Sequence, residues 1–245
     1  WQIQDWYEFE VQTLRPLTPH IPISTNFMGL CQFINYAGLA EKVDVIMDNQ
    51  YPNYRLGQDD LAGSAVGVAF KDNLFRCFKP EKPWMLTESC PDAPQWMPPM
   101  RPKPAAVHQL EMLQALGHGA EGTCYFQWRK GLGSREKFHG AVVDHSGRED
   151  ARVFRSVAQL SRHYDRLTPV LGSVVTSQVG LVYDWEARWG FENSEGMDSG
   201  NGAYNAVACE HYRPFWETGV NVDVFSADHA LDAYKLIILP QLWML

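Results

Sequence analysis

The sequence lacks the features that would assign it to several specialised classes of protein. It has no stretch rich in lysine and arginine, and its formal net charge is -8 at pH 7, so no nucleic-acid partner is expected. No apolar run reaches the length of a membrane span, which argues against a membrane partner. Internal repeats and low-complexity tracts are also missing. The composition, 45% hydrophobic and 20% charged, is that of an ordinary globular domain.

The chain has few cysteines, and their spacing contains no pairing motif. There are five cysteines, an odd number, and none forms a CxxC pair. Widely spread cysteines of this kind predict reduced, mostly buried thiols and a cytoplasmic protein. No signal peptide or initiator methionine opens the chain, and an apolar run directly precedes Leu245, so we expect both ends to be cut from a longer protein.

Hydrophobic periodicity predicts strands that alternate with helices. An amphipathic helix ending near Leu14 is followed by predicted strands at 21–26, 43–47, 84–88 and 122–128. Predicted helices lie between and after them: one with Phe33, Tyr36 and Leu39 on one face, and others at 61–78, 105–116 and 148–167. Repetition of this βα type requires parallel strands and right-handed crossovers.

The pattern changes after Pro169. Strands are predicted at 178–184, 222–225 and 236–239, with an amphipathic helix at 203–218. This arrangement is typical of the start of an open α/β sheet, so we predict a second domain.

Polar residues stand where the predicted strands of the first part end. The apolar run of Trp84 to Leu86 leads into Glu88, as in a buried strand that delivers one carboxylate to the mouth of a sheet. Asn26 and Tyr51 follow earlier strands, and each could contact substrate or brace the rim. Trp96 lies in a long proline-rich loop, and loops of that length are often functional.

Glu136 and His139 follow the fourth predicted strand. Their spacing of three would suit metal ligands on a helix, but no second acidic or histidine cluster lies nearby in sequence, so we predict no metal. Carboxylates, amides, an imidazole and indoles around one pocket suit a hydroxyl-rich substrate, since hydroxyls need donors and acceptors and a sugar ring offers an apolar face.

Eight short motifs together resemble one family, the β-galactosidases of glycoside hydrolase family 42. The motifs, in order, are TNFMG (25–29), VDVI (43–46), WMLTES (84–89), FQWR (126–129), EKFH (136–139), YDWE (183–186), HYRP (211–214) and YKLI (234–237). The resemblance implies that residues 1–168 are strands five to eight, the C-terminal half, of a TIM (β/α)8 barrel. It also implies that residues 169–245 begin a partial α/β, Rossmann- or flavodoxin-like domain that mediates trimer formation.

The resemblance also implies roles for individual residues. Glu88 matches the catalytic nucleophile of an exo-glycosidase that hydrolyses terminal β-D-galactosyl residues with retention. Trp96 matches a wall of the sugar site, Glu136 and His139 match residues that hold galactose hydroxyls, and Tyr51 matches a tyrosine after strand six. No cofactor is implied, and the partners would be a galactoside substrate and two further copies in a homotrimer.

Two departures limit this expectation. Residues 48–52 read DNQYP where the family commonly has a Trp-Asp-Ser-Tyr-Pro-like run, so substrate preference at that edge is open. The acid/base glutamate that follows an asparagine in the family has no counterpart upstream of Glu88. Retaining glycosidases need two carboxyl groups, so we expect the isolated 245 residues to have no useful turnover.

Two other functions remain open from the residues. A related exo-glycosidase could prefer an α-L-arabinopyranoside, whose ring differs from β-galactose mainly at the hydroxymethyl carbon. A non-catalytic sugar-binding or assembly barrel would keep the pocket without the chemistry.

Overall fold

Two parallel sheets flanked by helices make up the computed structural model, which describes residues 2–52, 61–195 and 203–242. The first part of the chain alternates helices and strands. Its elements are α1 (Gln2–Leu14), β1 (Asn26–Phe27), α2 (Tyr36–Lys42), β2 (Met47–Asn49), α3 (Leu61–Phe78), β3 (Trp84–Glu88), α4 (Ala105–Gly117), β4 (Ala120–Thr123) and α5 (Arg152–Leu167).

The first sheet has the order β1-β2-β3-β4, and every neighbouring pair is parallel. The predicted βα repetition is therefore confirmed. Its core is aromatic and aliphatic: Phe27, Trp84 and Leu86 are buried on the strands and pack against helix residues such as Phe75. Because all four strands run the same way, their carboxyl ends meet at one edge of the sheet.

The second sheet is built by the last part of the chain. A 3-10 turn (Thr168–Val170) leads to β5 (Val179–Val182), α6 (Trp185–Glu192), α7 (Ala203–Glu217), β6 (Val222–Phe225) and β7 (Leu236–Ile238). The strand order is β6-β5-β7, all parallel, as in an open α/β sheet. Gly180 is required in β5, because a Cβ there would lie 2.6 Å from the Phe225 ring.

Helix α3 packs between the two sheets. Its Arg76 guanidinium lies 2.6 Å from the Asp223 carboxylate of β6, and the two side chains are only 7% and 16% exposed. Asn73, on the same helix, donates to the Tyr212 hydroxyl of α7 at 2.8 Å. Buried polar contacts of this kind fix the rotation of α3 relative to the second sheet. None of the described helices combines the length and apolarity needed to cross a bilayer.

The predicted boundaries of three strands were wrong. Strand β1 occupies Asn26–Phe27 rather than 21–26, and β2 occupies Met47–Asn49 rather than 43–47. The cause is the Asp44 side chain, whose carboxylate accepts the Ile23 main-chain N–H at 2.7 Å and pairs with Arg15. A side chain thus takes the place of a main-chain acceptor between these two segments, and regular strand pairing begins only after them. Strand β4 ends at Thr123 instead of 128, after a register shift opposite Trp84 and Met85.

Predictions for Phe33, for one helix and for one cysteine were also wrong. Phe33 is 80% exposed and lies outside α2, because the Asn35 side chain caps the helix by accepting the Gly38 N–H at 3.3 Å. Helix α6 was not predicted at all. The prediction of mostly buried thiols holds for Cys77 and Cys90 but not for Cys124, which is exposed; all the cysteines are free.

Candidate active site

A cavity of about 590 Å³ opens at the carboxyl edge of the first sheet. It is lined by strand ends and by the loops that follow them: Asn26, Met28, Gly29, Leu30, Asn49, Gln50, Tyr51, Lys71, Glu88, Trp96, Met97, Phe126 and Glu136. Of the six predicted site residues, five line this cavity, and the sixth, His139, lies against two of them.

Glu88 is held in place by its neighbours on both sides of its peptide. It is the last residue of β3, and its register partner across the sheet is Asn49 of β2. Its carbonyl oxygen accepts the Gln50 main-chain N–H at 2.9 Å. The Ser89 N–H, in the same peptide unit, donates to the Cys124 carbonyl oxygen at 3.2 Å on the other side. These two main-chain bonds fix the backbone of Glu88, whose carboxylate reaches the cavity from the end of the strand.

The Tyr51 hydroxyl orients the Glu88 carboxylate. It donates to Glu88 Oε2 at 2.6 Å. Burial, then the hydrogen bond and charge of Glu88, raises the pKa of Tyr51 far above its ordinary value, so the phenol keeps its proton and remains the donor. One carboxylate oxygen is thereby held, while Glu88 Oε1 has no hydrogen-bond partner among residues 2–52, 61–195 and 203–242.

Three aromatic rings stand together beside Glu88. The Trp96 indole stacks on the His139 imidazole, with ring centroids 4.6 Å apart and planes 17° from parallel. Tyr51 meets Trp96 edge-on at 4.9 Å and His139 at 5.9 Å. The indole is 44% exposed, so part of its surface remains available to a ligand.

His139 is fully buried, and one hydrogen bond decides which of its ring nitrogens carries the proton. Its Nε2 lies 3.0 Å from the Phe126 carbonyl oxygen, so Nε2 carries the proton and donates. Burial lowers the pKa of the imidazole, which is therefore neutral. Nδ1 is left as an acceptor with no hydrogen-bond partner among the described residues.

The remaining predicted residues line the cavity without a structural bond of their own. Asn26 is exposed at the start of β1, and within the described ranges its side chain makes no hydrogen bond that would brace the rim. Glu136 is half-buried, and its carbonyl oxygen accepts the His139 main-chain N–H at 2.9 Å. Neither side chain has a hydrogen bond or ion pair to another described residue, so within that part of the protein both can meet a ligand.

The loop that carries Trp96 is tied at both ends. Asp92 accepts the Lys103 main-chain N–H at 2.9 Å and the Arg152 guanidinium at 2.6 Å, which closes the loop on itself. The Lys103 ammonium is buried and pairs with Glu111 of α4 at 2.5 Å. The indole thus stands on an anchored loop.

Sequence reasoning missed several cavity residues. Lys71 and Phe126 were not singled out, and Gln50 was noted only as part of the DNQYP run. Gln50 directly precedes Tyr51, so strand-end position was the available signal. Lys71 comes from the middle of α3, and no strand-end pattern marks it. No group of three or more His, Cys, Asp or Glu side chains suited to a metal ion occurs in the described part of the chain.

The arrangement offers a carboxylate with one oxygen bonded and one open, an aromatic wall and a neutral imidazole. A carboxylate held in this way can act as a nucleophile toward a sugar carbon. The indole face suits the apolar face of a pyranose, and the surrounding oxygens and nitrogens suit its hydroxyls.

Two family models match the chain. One, for glycoside hydrolase family 42 and described as "Beta-galactosidase", matches residues 1–167. The other, described as "Beta-galactosidase trimerisation domain", matches residues 177–245.

Curated relatives and solved structures agree with these matches. β-Galactosidase BglY of Alicyclobacillus acidocaldarius is 38% identical over 243 residues, which are 99% of this chain and 35% of the relative. β-Galactosidase Pbg of Clostridium perfringens is 38% identical over 248 residues, with 99% and 36% covered. The chain therefore spans about a third of the length of these curated relatives.

Among solved structures, the β-galactosidase from Rahnella sp. R3 superimposes with a TM-score of 0.92 at 40% identity, covering 99% of this chain and 37% of that one. A catalytic mutant of Gan42B, a β-galactosidase of the same family from G. stearothermophilus, gives 0.93 at 37% identity, covering 97% and 36%.

Proposed function

Because the chain belongs to glycoside hydrolase family 42, whose family model is described as a β-galactosidase, we propose that Glu88 is the nucleophile of a retaining galactosidase. The whole protein that contains this chain would hydrolyse terminal non-reducing β-D-galactosyl residues. One observation carries the proposal: the Glu88 carboxylate, bonded to Tyr51 at 2.6 Å, lines the 590 Å³ cavity that Trp96 also lines.

In the first step Glu88 Oε1 attacks the anomeric carbon of the galactoside. The bond from that carbon to the leaving oxygen breaks, and a second carboxyl group gives the leaving oxygen its proton. A galactosyl ester of Glu88 results. Water, deprotonated by the same second group, then attacks the anomeric carbon and releases galactose and the free carboxylate. Two inversions give net retention.

The second carboxyl group is assigned to a residue outside these 245. The chain covers only 35% of the length of BglY, which leaves room for that residue in the whole protein. Protonation of the leaving oxygen by a positioned acid is worth about 10² to 10⁴-fold. The isolated 245 residues should therefore show no useful turnover of a nitrophenyl galactoside.

Substrate recognition is assigned to the residues around Glu88. Trp96 would face the apolar side of the galactose ring, since its indole is partly exposed beside the carboxylate. Glu136 and Asn26 would accept or donate to ring hydroxyls. His139 is fully buried beneath the Trp96 indole, so its Nδ1, an acceptor with no partner among the described residues, would accept from a sugar hydroxyl only after the indole shifts.

We also infer the architecture of the whole protein. Residues 1–168 would be strands five to eight of a (β/α)8 barrel, and residues 169–245 the start of the domain through which a homotrimer forms. Within the described residues, β1 and β4 each pair with one strand, as the edges of a half barrel would. Trp6 and Phe9 on α1 are 64% and 59% exposed, as expected of a helix that packs against further barrel elements.

The test uses the whole protein with Glu88→Ala. This variant should lose turnover, and added azide should restore it by attacking from the face that Glu88 has vacated, which gives the α-galactosyl azide. Glu186→Ala, which removes an exposed glutamate at the start of α6, is the control and should keep full activity. A Glu88→Ala variant as active as the control would refute the proposal.

The same assay separates the other functions. A faster reaction with nitrophenyl α-L-arabinopyranoside than with the β-galactoside would favour the arabinopyranosidase. Galactose binding without turnover of either substrate would favour a sugar-binding module.

A further inference from the structure

A buried amide–carboxyl pair, formed by one residue of the cavity wall and one residue behind it, joins the end of β2 to the middle of α3. Gln50 Nε2 donates to Asp72 Oδ1 at 2.7 Å. The two residues are 2% and 0% exposed. Asp72 therefore faces the first sheet, whereas its neighbour Asn73 is bonded to Tyr212 of the second part of the chain.

The pair acts at the residue immediately before Tyr51. The Gln50 main chain donates to the Glu88 carbonyl oxygen at 2.9 Å, and its side chain holds Asp72. Tyr51, the next residue, reaches back to Glu88 Oε2. The position of the phenol thus depends on where Gln50 is held.

The packing of a strand on a helix does not by itself explain why two polar side chains, Gln50 and Asp72, are buried at this contact. Asp72 Oδ2, Gln50 Oε1 and the nearby Asp48 Oδ2 are buried with no partner among the described residues. Burial raises the pKa of Asp72 to about 8 and that of Asp48 to about 7, against the opposing charge of Lys71. Apolar side chains of similar volume would pack a strand on a helix without that desolvation. What the pair adds is a directed contact at one residue of the strand end.

We propose that Gln50 and Asp72 are positioning residues for the nucleophile, holding the chain so that the Tyr51 hydroxyl meets the Glu88 carboxylate. The inference rests on the proposed function of Glu88. Neither residue touches substrate in this account; each acts through Tyr51.

The test is a double-mutant cycle in the whole protein. Tyr51→Phe removes a hydrogen bond to a charged group and should lower kcat/KM about 10- to 100-fold. Gln50→Leu should lower it about 10-fold, mainly through kcat, because the nucleophile is misplaced while the sugar-binding side chains remain. The double variant should match Tyr51→Phe within about twofold.

Two further variants separate positioning from stability. Asp72→Asn keeps an oxygen that can accept from Gln50 Nε2, so it should retain activity within about threefold of the parent, whereas Asp72→Leu should behave as Gln50→Leu does. Gln114→Leu is the matched control. It removes another glutamine amide that donates to α3, at 3.0 Å from the Ala65 carbonyl oxygen, and should leave kcat/KM unchanged.

A crystal structure of the Gln50→Leu variant gives a readout that does not need activity. The Tyr51 hydroxyl should lie beyond hydrogen-bond distance of Glu88; a bond kept at 2.6 Å would overturn the inference. In the double-mutant cycle, losses of kcat/KM from Tyr51→Phe and Gln50→Leu that multiply would also overturn the inference. If Glu88→Ala abolishes turnover in the same assays, only the positioning role of Gln50 and Asp72 is refuted. Full activity of Glu88→Ala would instead refute the proposed function.

Discussion

Gly140→Ala should disable the site without touching any residue that lines the cavity. Gly140 follows His139 and is buried against the loop after β3, where its N–H donates to the Ala93 carbonyl oxygen at 3.0 Å. A Cβ on Gly140 would lie 2.6 Å from Cys90 Sγ, 2.8 Å from Asp92 Cβ and 3.0 Å from the Ala93 nitrogen. Ordinary contacts begin at 3.4 Å.

The clash cannot be relieved by one rotamer. The Asp92 Cβ and the Ala93 backbone belong to the anchored end of the Trp96 loop, because Asp92 is bonded to Arg152 at 2.6 Å. The two loops must therefore separate. Overpacking of this kind costs about 1–3 kcal/mol of unfolding free energy. A displacement near 1 Å of catalytic groups can cost about 10²-fold in rate.

The assay compares the whole protein with three variants by thermal unfolding and by kcat/KM on nitrophenyl β-galactoside. Gly133→Ala is the control, since nothing lies within 4 Å of a Cβ there, and it should match the parent. Adding Cys90→Ala to Gly140→Ala removes the closest contact but not the other two, so it should restore only part of both quantities. Equal stability and activity for Gly140→Ala and Gly133→Ala would refute this reasoning.

Three further predictions concern other parts of the molecule. Arg76→Ala removes the ion pair of the largely buried Asp223, which keeps the hydrogen bond from the Tyr234 hydroxyl at 2.9 Å, and should cost about 3 kcal/mol in denaturant unfolding. Arg148→Ala, at an exposed ion pair, should leave stability unchanged. Burial lowers the pKa of His108 to about 3 from 6.5. As the pH falls, His108 is protonated in the unfolded chain before it is protonated in the folded one, so the free energy of unfolding decreases below pH 6.5. The loss is about 2 kcal/mol by pH 5. In the variant His108→Gln, the free energy of unfolding should depend less steeply on pH. Trp96→Ala should raise KM roughly 2- to 10-fold with a smaller change in kcat, as steady-state kinetics would show.

The order and type of most elements in the first part of the chain could be predicted, because strong local patterns agreed with the fold. The bounds predicted for α3 were those observed, and the run from Trp84 to Glu88 is β3. In the second sheet, Val222–Phe225 was predicted as a strand and is β6. Long apolar helices and short β-branched runs bounded by polar residues carry their own signal.

Strand ends were predicted less well, because a parallel ladder is set by its neighbours. The apolar run at Val43 looks like a strand, yet Asp44 binds Ile23 through its carboxylate and regular pairing begins only at Met47. Helix α6 was not predicted because it is short and contains Gly190, although Asp184 caps it by accepting the Ala187 N–H at 2.7 Å.

Individual site residues could also be predicted from the sequence, whereas the contacts between them could not. Position at a strand end pointed to Glu88, Asn26 and Tyr51, all of which line the cavity. The stacking of Trp96 on His139 joins residues far apart in sequence; both were expected around one pocket, but no sequence pattern indicated that the two rings touch. The bond between Gln50 and Asp72 had no sequence signal, because one lies in a loop run and the other on the buried face of a helix.

The central claim is that the Glu88 carboxylate forms a covalent bond with the sugar. The whole protein should be treated with a 2-deoxy-2-fluoro-β-galactosyl fluoride, which forms the ester quickly and hydrolyses it slowly, and then digested for mass spectrometry. We expect one fluorogalactosyl group, on Glu88, with loss of activity in step with labelling. Labelling of a different carboxylate, or full activity with no label on Glu88, would contradict it.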